Sequence, residues 1–547
     1  MSPPTDTNNR LINPTTAITS GLGGIPSALI NLAYDVEKTA PVTAGSASAS
    51  ASASASALTP TPPTEQPTHP EANPFLVTYD GPSDPLDPQN MAPARKWTYA
   101  AILGVMTLSV TFASSVFSTA TEAAADEFNV SNEVMTLGTA LFIAGFAVGP
   151  MFYGPMSELW GRKRPLMTGF FLFIVCQIPV GVAQNVETIM LFRFVGGVAA
   201  AGPLSIVGGW FSDFFDPVQR GVALCVLSGT TYMGPVLGPI IGGFMTQSYL
   251  GWRWTAWMTM IIASASGIIG LIVLPETYAP VVLTRKARRI RLETHNWAVH
   301  SKQYQKHLPN LHSEETATDF NAFVTKYLSR PFRMLLLEPI LVLITLYLTL
   351  VFGFVYLLFE AWPISFIEQR GYNAGIGALP FISIGVGVVI GSVFVVHDTY
   401  TRIQAKYVTN GYILPEDRLY TMIYGAVAFP IGIFWFAWTS FPTISPWPQI
   451  LSGIPIGVGV QIIYLQGLAY LVDVYTTNAN SAISAHAIIR SSVAAGFVMF
   501  SVPMYESLGV QWATSLLGFL GVAFILVPVL FWIYGARIRA WSKYAPM

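Results

Sequence analysis

Windows of about twenty predominantly apolar residues, long enough for a helix to cross a membrane, recur near 97–120, 134–153, 165–184, 187–209, 221–246, 254–275, 337–362, 374–396, 419–439, 448–472, 482–504 and 511–534. No feature constrains the fold more. Within lipid every backbone polar group must be satisfied by the segment itself, which leaves helices or closed barrels, and these windows are twice the length of a barrel strand. The expected class is an all-α membrane protein with twelve transmembrane helices. Composition agrees, since 52% of the 547 residues are hydrophobic and only 10% are charged, where a soluble domain carries about 25%.

An even number of spans puts both termini on one side, and lysine and arginine decide which. Arg95 and Lys96 precede span one, Arg162 to Arg164 follow span two, and Arg220 follows span four. Arg285 to Arg291 follow span six, Arg402, Lys406 and Arg418 follow span eight, and Arg537, Arg539 and Lys543 close the chain. All lie on one face, so both tails are expected in the cytosol. The opposite face holds Arg253 and Arg370, and its first loop is acidic through Asp126, Glu127 and Glu133. Asn129-Val130-Ser131 in that loop is a glycosylation sequon.

The polar interval from Glu276 to Arg333 divides the spans equally. The expected organisation is a disordered cytosolic tail over 1–95, a six-helix bundle over 96–275, a cytosolic linker over 276–335, a second six-helix bundle over 336–535 and a short tail over 536–547. Two pseudo-symmetric halves place a binding site between them at the midplane. The tail carries a Ser/Ala alternation from Gly45 to Ala57 and a Pro/Thr-rich stretch to Pro70, compositions that cannot build a packed core. Met1 to Asn90 lacks the basic stretch and apolar core of a cleaved signal, so span one is expected to direct insertion. Cys176 and Cys225 both fall within spans and imply neither a disulfide framework nor a thiolate metal site. The basic residues lie in loops rather than on one patch, which gives no support for nucleic-acid binding.

Span five contains GTTYMGPVLGPIIGG, from Gly229 to Gly243. In water an interior proline costs a helix about 3 kcal/mol and a glycine about 1. Gly234, Gly238 and Gly242 recur every fourth residue, as do Pro235 and Pro239, so the glycines form one stripe against which another helix can pack closely. A tight contact and a directional role both fit; the expected partner is a helix of the other half. After span two, Gly154, Glu158, Gly161, Arg162 and Lys163 form a loop in which an acid precedes a basic triplet, suited to bridging neighbouring helix ends.

That loop resembles the signature of the major facilitator superfamily, G-x-x-x-D-R-x-G-R-R/K, with Glu158 in place of the aspartate and Leu159 in place of the first arginine. The arginine's salt bridge therefore does not carry over. Arg193, followed by small residues in span four, resembles the second motif, and Gly229 to Gly243 resembles the span-five motif of proton-driven antiporters. Trp252-Arg253-Trp254, Pro275-Glu276-Thr277-Tyr278-Ala279-Pro280, Phe359-Glu360-Ala361-Trp362-Pro363 and the closing segment are similar to fungal drug:proton antiporters of the twelve-span type. The likeness covers about residues 77–547. It implies proton-coupled efflux of amphipathic drugs, toxins, secondary metabolites or polyamines across the plasma membrane by a monomer. Uptake by the same fold, and a membrane receptor using the tail and linker, are the alternatives.

Ionisable residues within spans are costly enough to be functional hypotheses. Arg193 reads as a cation tuning a cavity carboxylate or as a donor tying helices together. Glu360 reads as a proton carrier, since a carboxylate in an apolar cavity binds a proton readily, or as a cap at the wet end of span seven. Arg490 is placed at the cavity or a carbonyl cluster, Asp473 beside loop cations, and His486 as a hydrogen-bonded surface residue near a helix end. Tyr232, Tyr347, Tyr356, Trp435 and Tyr464 are expected at the cavity with Gln461 and Gln466, and Trp438, Trp447 and Trp532 in interfacial belts. Walker, zincin and serine-hydrolase motifs are absent from the sequence, so neither ATP drive nor enzymatic chemistry nor a cofactor or metal is expected. The expected partners are a small-molecule substrate, protons and the bilayer.

Overall fold

The computed structural model describes residues 75–81, 83–301, 329–475, 479–542 and 544. The low-complexity tracts of the expected tail and linker residues 302–328 lie outside the described residues. The first six spans are Pro93–Val116, Asn132–Leu159, Lys163–Gly181, Val186–Phe214, Pro217–Thr246 and Trp254–Val273. The next four are Pro339–Pro363, Phe381–Asp398, Glu416–Thr439 and Gly453–Tyr475.

Among the described residues, helices long and apolar enough to cross a membrane number 11, and the last, Ser481–Arg539, has 59 residues. A straight helix of that length would reach about 90 Å, three times the ~30 Å hydrocarbon core. It is broken at Gly509, whose φ of 73° and ψ of 158° are not helical. The chain reverses there. Ser484 touches Pro150, Trp512 meets Trp438 at the far end, and Arg539 returns to Glu416. Residues 479–508 and 510–539 are therefore spans eleven and twelve.

Helix pairing repeats when six is added to each span number. Spans one and five pair as seven and eleven do, two and four as eight and ten, three and four as nine and ten, and three and six as nine and twelve. The seam between the halves follows the same rule, with span two against eleven and span five against eight. Glycines permit the tightest contacts at related places. A Cβ on Gly145 would strike the span-four backbone at Gly197, and one on Gly387 would strike Gly457 of span ten.

Arg162, Arg220, Arg402, Arg418 and Arg539 gather at one end of the bundles, termed here the basic end, through pairs with Asp213, Asp473, Asp398 and Glu416. Arg253 and Arg370 lie at the opposite end. Arg253 pairs with Glu127, and Arg370 donates to the carbonyls of Thr439, Phe441 and Ile444. Exposed Asn129 sits at that end in a left-handed conformation after the helix Thr121–Phe128.

Residues 75–91, which composition assigns to the tail, are tied to the linker. β1 (Leu76–Val77) runs parallel to β2 (His300–Ser301), and the linker helix Ala279–Thr294 contributes Lys286. Lys286 bridges Asp80 at 2.7 Å and Asp84 at 3.2 Å. The backbone N–H groups of Asp80 and Leu86, and then Lys286, hold the Asp84 carboxyl below its usual range. Scattered acids in a polar segment give no linear signal for a clamp whose cation lies two hundred residues away.

Candidate functional site

The two halves meet along spans one, two, four and five on one side and seven, eight, ten and eleven on the other. Near the middle they enclose a small cavity lined by Leu204, Thr231, Tyr464, Leu468, His486 and Arg490. Arg490 Nη1 donates to the Tyr464 hydroxyl at 2.6 Å, and its guanidinium carbon lies 4.4 Å from the Phe352 ring centroid. Tyr232 crosses from the first half, edge-on to Tyr464 with centroids 5.3 Å apart. The Tyr356 hydroxyl lies 3.2 Å from Ser114 Oγ of span one. The Gln461 amide donates to Ser228 at 2.7 Å and Ser392 at 2.8 Å, joining spans five, eight and ten. The structure thus brings Tyr232, Tyr356, Gln461, Tyr464 and Arg490 to one seam.

Other expected cavity residues lie elsewhere. Tyr347 stacks on Phe524 within the second half, with centroids 5.8 Å apart and planes at 9°. Tyr356 lies nine positions further along the helix, about half a turn out of phase, so the two cannot share a face. Gln466 is buried with its Nε2 unpartnered, two positions from Tyr464 and therefore about 160° away from it around span ten. Trp435 is 41% exposed on the outer surface, as are Trp438, Trp447 and Trp532. Apolar character alone does not separate a lipid face from a cavity face. His486 is the converse correction. It is 1% exposed, and both ring nitrogens lack partners.

Glu360 follows Phe352 and Tyr356 at intervals of four, which places all three on one face of span seven. It is half-buried, forms no ion pair among the described residues, and has Glu368 and Tyr505 within electrostatic reach. Arg193 has a different setting. Its Nε donates to Gly138 O at 3.1 Å and its Nη1 to Ala113 O at 2.9 Å, with its guanidinium between the rings of Phe117 and Phe142. These contacts tie spans one, two and four; they contain no carboxylate for a relay.

Closures lie at both ends of the cavity. At the basic end, Asp473 of span ten accepts from Arg220 of span five at 3.0 Å and from Arg418 of span nine at 3.1 Å. Gly154 abuts Ser484 of span eleven, whose hydroxyl donates to Pro150 O. Arg162 forms a two-bond pair with Asp213, while its backbone N–H and that of Lys163 donate to Glu276 at 2.8 and 3.1 Å. Gly161, at φ 89°, leaves room for that carboxylate, which a Cβ would strike. Lys163 Nζ reaches Leu271 O, and Glu158 stands within electrostatic reach of Arg162. The acid gripping the arginine is thus Asp213, distant in sequence and invisible to a reading of the loop alone.

At the other end Gly243 lies against the Ala374 carbonyl, and Gly375 N donates to Gln247 Oε1 at 3.4 Å. The rest of the stripe has a partner other than the expected one. A Cβ on Gly234, Gly238 or Gly242 would overlap Thr111 or Ser115 of span one or Thr119 in the turn just after it, respectively, all in the same half. Only Gly229, near Ser392 and Gln461, and Gly243 face the other half. Pro235 and Pro239 are buried within an unbroken helix, and Thr111 Oγ1 donates across to Thr230 O at 3.2 Å. The stripe faces span one because Tyr232 and Val236, on the opposite side of span five, are the residues buried in the second half's core.

Residues 103–499 match the family model described as Major Facilitator Superfamily. A citrinin biosynthesis cluster transporter of Monascus ruber is 50% identical over 89% of this chain and 95% of its own length. The cercosporin transporter of Cercospora nicotianae is 45% identical over 86% of this chain and 90% of its own. The solved proton:xylose symporter XylE shares the fold, with a TM-score of 0.56 at 16% identity over 79% of this chain and 96% of that one. Twelve spans in two related halves, a seam closed at both ends and these matches converge: the chain belongs to the major facilitator superfamily and is a multi-pass membrane transporter.

Proposed function

We propose that this transporter exports an amphipathic secondary metabolite in exchange for protons, by alternating access around the cavity between the halves. The observation that carries this reading is the face of span seven: Phe352 touches Arg490 in the cavity, Tyr356 spans the seam to Ser114, and Glu360 stands one turn beyond with no ion-pair partner among the described residues. A carboxylate placed so can take up a proton from one side and release it when the seam opens to the other. The relatives named for citrinin and cercosporin support a fungal metabolite as cargo and export as the direction. The basic end is then cytosolic with both termini, the membrane is the plasma membrane, and the unit is a monomer of the twelve-span drug:proton antiporter type. Arg193 supports this arrangement as a helix tie, and span five as a close-packed wall.

In proteoliposomes with an imposed pH gradient, substrate is expected to move against its own gradient in exchange for protons. Glu360→Gln is expected to abolish proton-driven accumulation, a loss of about 100-fold or more on the scale of general acid–base contributions, while substrate-for-substrate exchange persists. Flux indifferent to the pH gradient makes the protein a facilitator, and co-movement of substrate with protons makes it a symporter.

A further inference from the structure

Among the described residues, the buried lysine and arginine side chains are Lys96, Arg162, Arg193, Arg418 and Arg490. Four of them meet a carboxylate or a backbone carbonyl: Lys96 the Gln89 carbonyl, Arg162 Asp213, Arg193 two carbonyls and Arg418 Asp473. Arg490 meets neither. Its described partners are one hydroxyl and two aromatic rings, Phe352 and Tyr464, and its Nε has no acceptor. A buried guanidinium without an anion is expensive to maintain, and the geometry here leaves part of its N–H edge unused.

The groups around it share that incompleteness. His486, one turn earlier on the same face of span eleven, is buried with both nitrogens unpartnered and lines the same cavity. The Tyr232 hydroxyl, buried beside Tyr464, is also unpartnered. Glu360, the acid on the facing side of span seven, is eight residues from Phe352, a rise of about 12 Å, and forms no pair with Arg490. Three incompletely satisfied polar side chains thus converge between aromatic faces at a place where the described residues supply no paired carboxylate.

We propose that the cavity is built for an organic anion: a planar aromatic or conjugated acid whose carboxylate or ionised enol oxygen seats against Arg490, with His486 and Tyr232 completing its hydrogen bonds and Phe352 and Tyr464 flanking its ring system. This deepens the exporter reading and takes from it only that the cavity is the substrate site. It excludes polyamines and other cationic compounds as preferred cargo, because they bring like charge to a buried guanidinium.

The test uses equilibrium binding to the purified full-length protein in lipid nanodiscs, with three probes of matched size: naphthoate, naphthamide and naphthylmethylammonium. Naphthoate is expected to bind about tenfold or more tightly than the amide, on the scale of a charge-assisted hydrogen bond, and the ammonium weakest. Arg490→Gln is expected to erase the preference for naphthoate over naphthamide; Arg490→Lys retains part of it, and His486→Ala reduces it. Matching elution and thermal unfolding profiles confirm that each variant is folded. Absence of an anion preference, including no binding of any probe, or a preference that survives Arg490→Gln overturns the proposal. Binding at equilibrium needs no proton gradient, so anion preference without proton-driven flux refutes only the antiport reading, and the reverse refutes only this one.

Discussion

Gly238 shows how little space separates two working helices. A Cβ there would overlap Ser115 Oγ and lie 2.8 Å from the Val116 backbone nitrogen, so the hydrogen in its place is what lets span five touch span one. Forcing extra methylenes into a packed contact typically costs about 1–3 kcal/mol. Gly238→Leu is therefore expected to push span five away from span one and to abolish transport, while membrane insertion and surface level stay at those of the unaltered protein. Vesicle flux paired with surface biotinylation checks it; normal flux would mean the close approach is dispensable. The stripe itself was legible from the spacing of its glycines, because a helical face follows from period alone. Its partner was not, since choosing between span one and the other half depends on where the larger Tyr232 and Val236 find room.

Among elements, the final apolar stretch is the one in which sequence windows and helical assignment differ. Windows of hydropathy separate spans eleven and twelve, while the backbone stays helical to within a residue of Gly509 on both sides. The reversal depends on a single residue whose φ and ψ only glycine adopts readily, and other residues held in such conformations carry about 1–3 kcal/mol of strain. Gly509→Ala is expected to lower the thermal unfolding midpoint in detergent. Gly496→Ala, in the same stretch with nothing within 4 Å of an added methyl, is expected to leave it unchanged or raised. Equal midpoints for the two variants would remove the hinge role. The linker helix was legible as a basic segment between the halves, whereas the docking of residues 75–91 onto it rests on pairs between segments two hundred residues apart, for which charge pattern alone offers many equivalent solutions.

The assembled protein is closed at both ends of its seam, and transport requires the closures to open in turn. Among the described residues, Asp473 is the charged link between the halves at the basic end, shared by Arg220 and Arg418 with side-chain exposures of 13%, 22% and 3%. Asp473→Asn is expected to weaken that closure by about 1–3 kcal/mol, a roughly 5–150-fold shift toward the state open at the basic end. Distances between spin labels at the basic ends of spans five and ten, measured by pulsed dipolar spectroscopy, should gain a longer population. An unchanged distribution would show that helix packing, not the ion triad, holds this end shut. By itself the sequence determined the twelve crossings, their polarity relative to the basic loops and the membrane-buried charges, because bilayer thickness and the cost of dehydrating charge act on each segment locally. Only the tertiary structure decided that Arg193 ties helices, that Tyr347 and Trp435 lie off the cavity, and that His486 and Arg490 face it without an anion, because helix rotation and the two-fold pairing of the halves are set by packing among segments far apart in the chain.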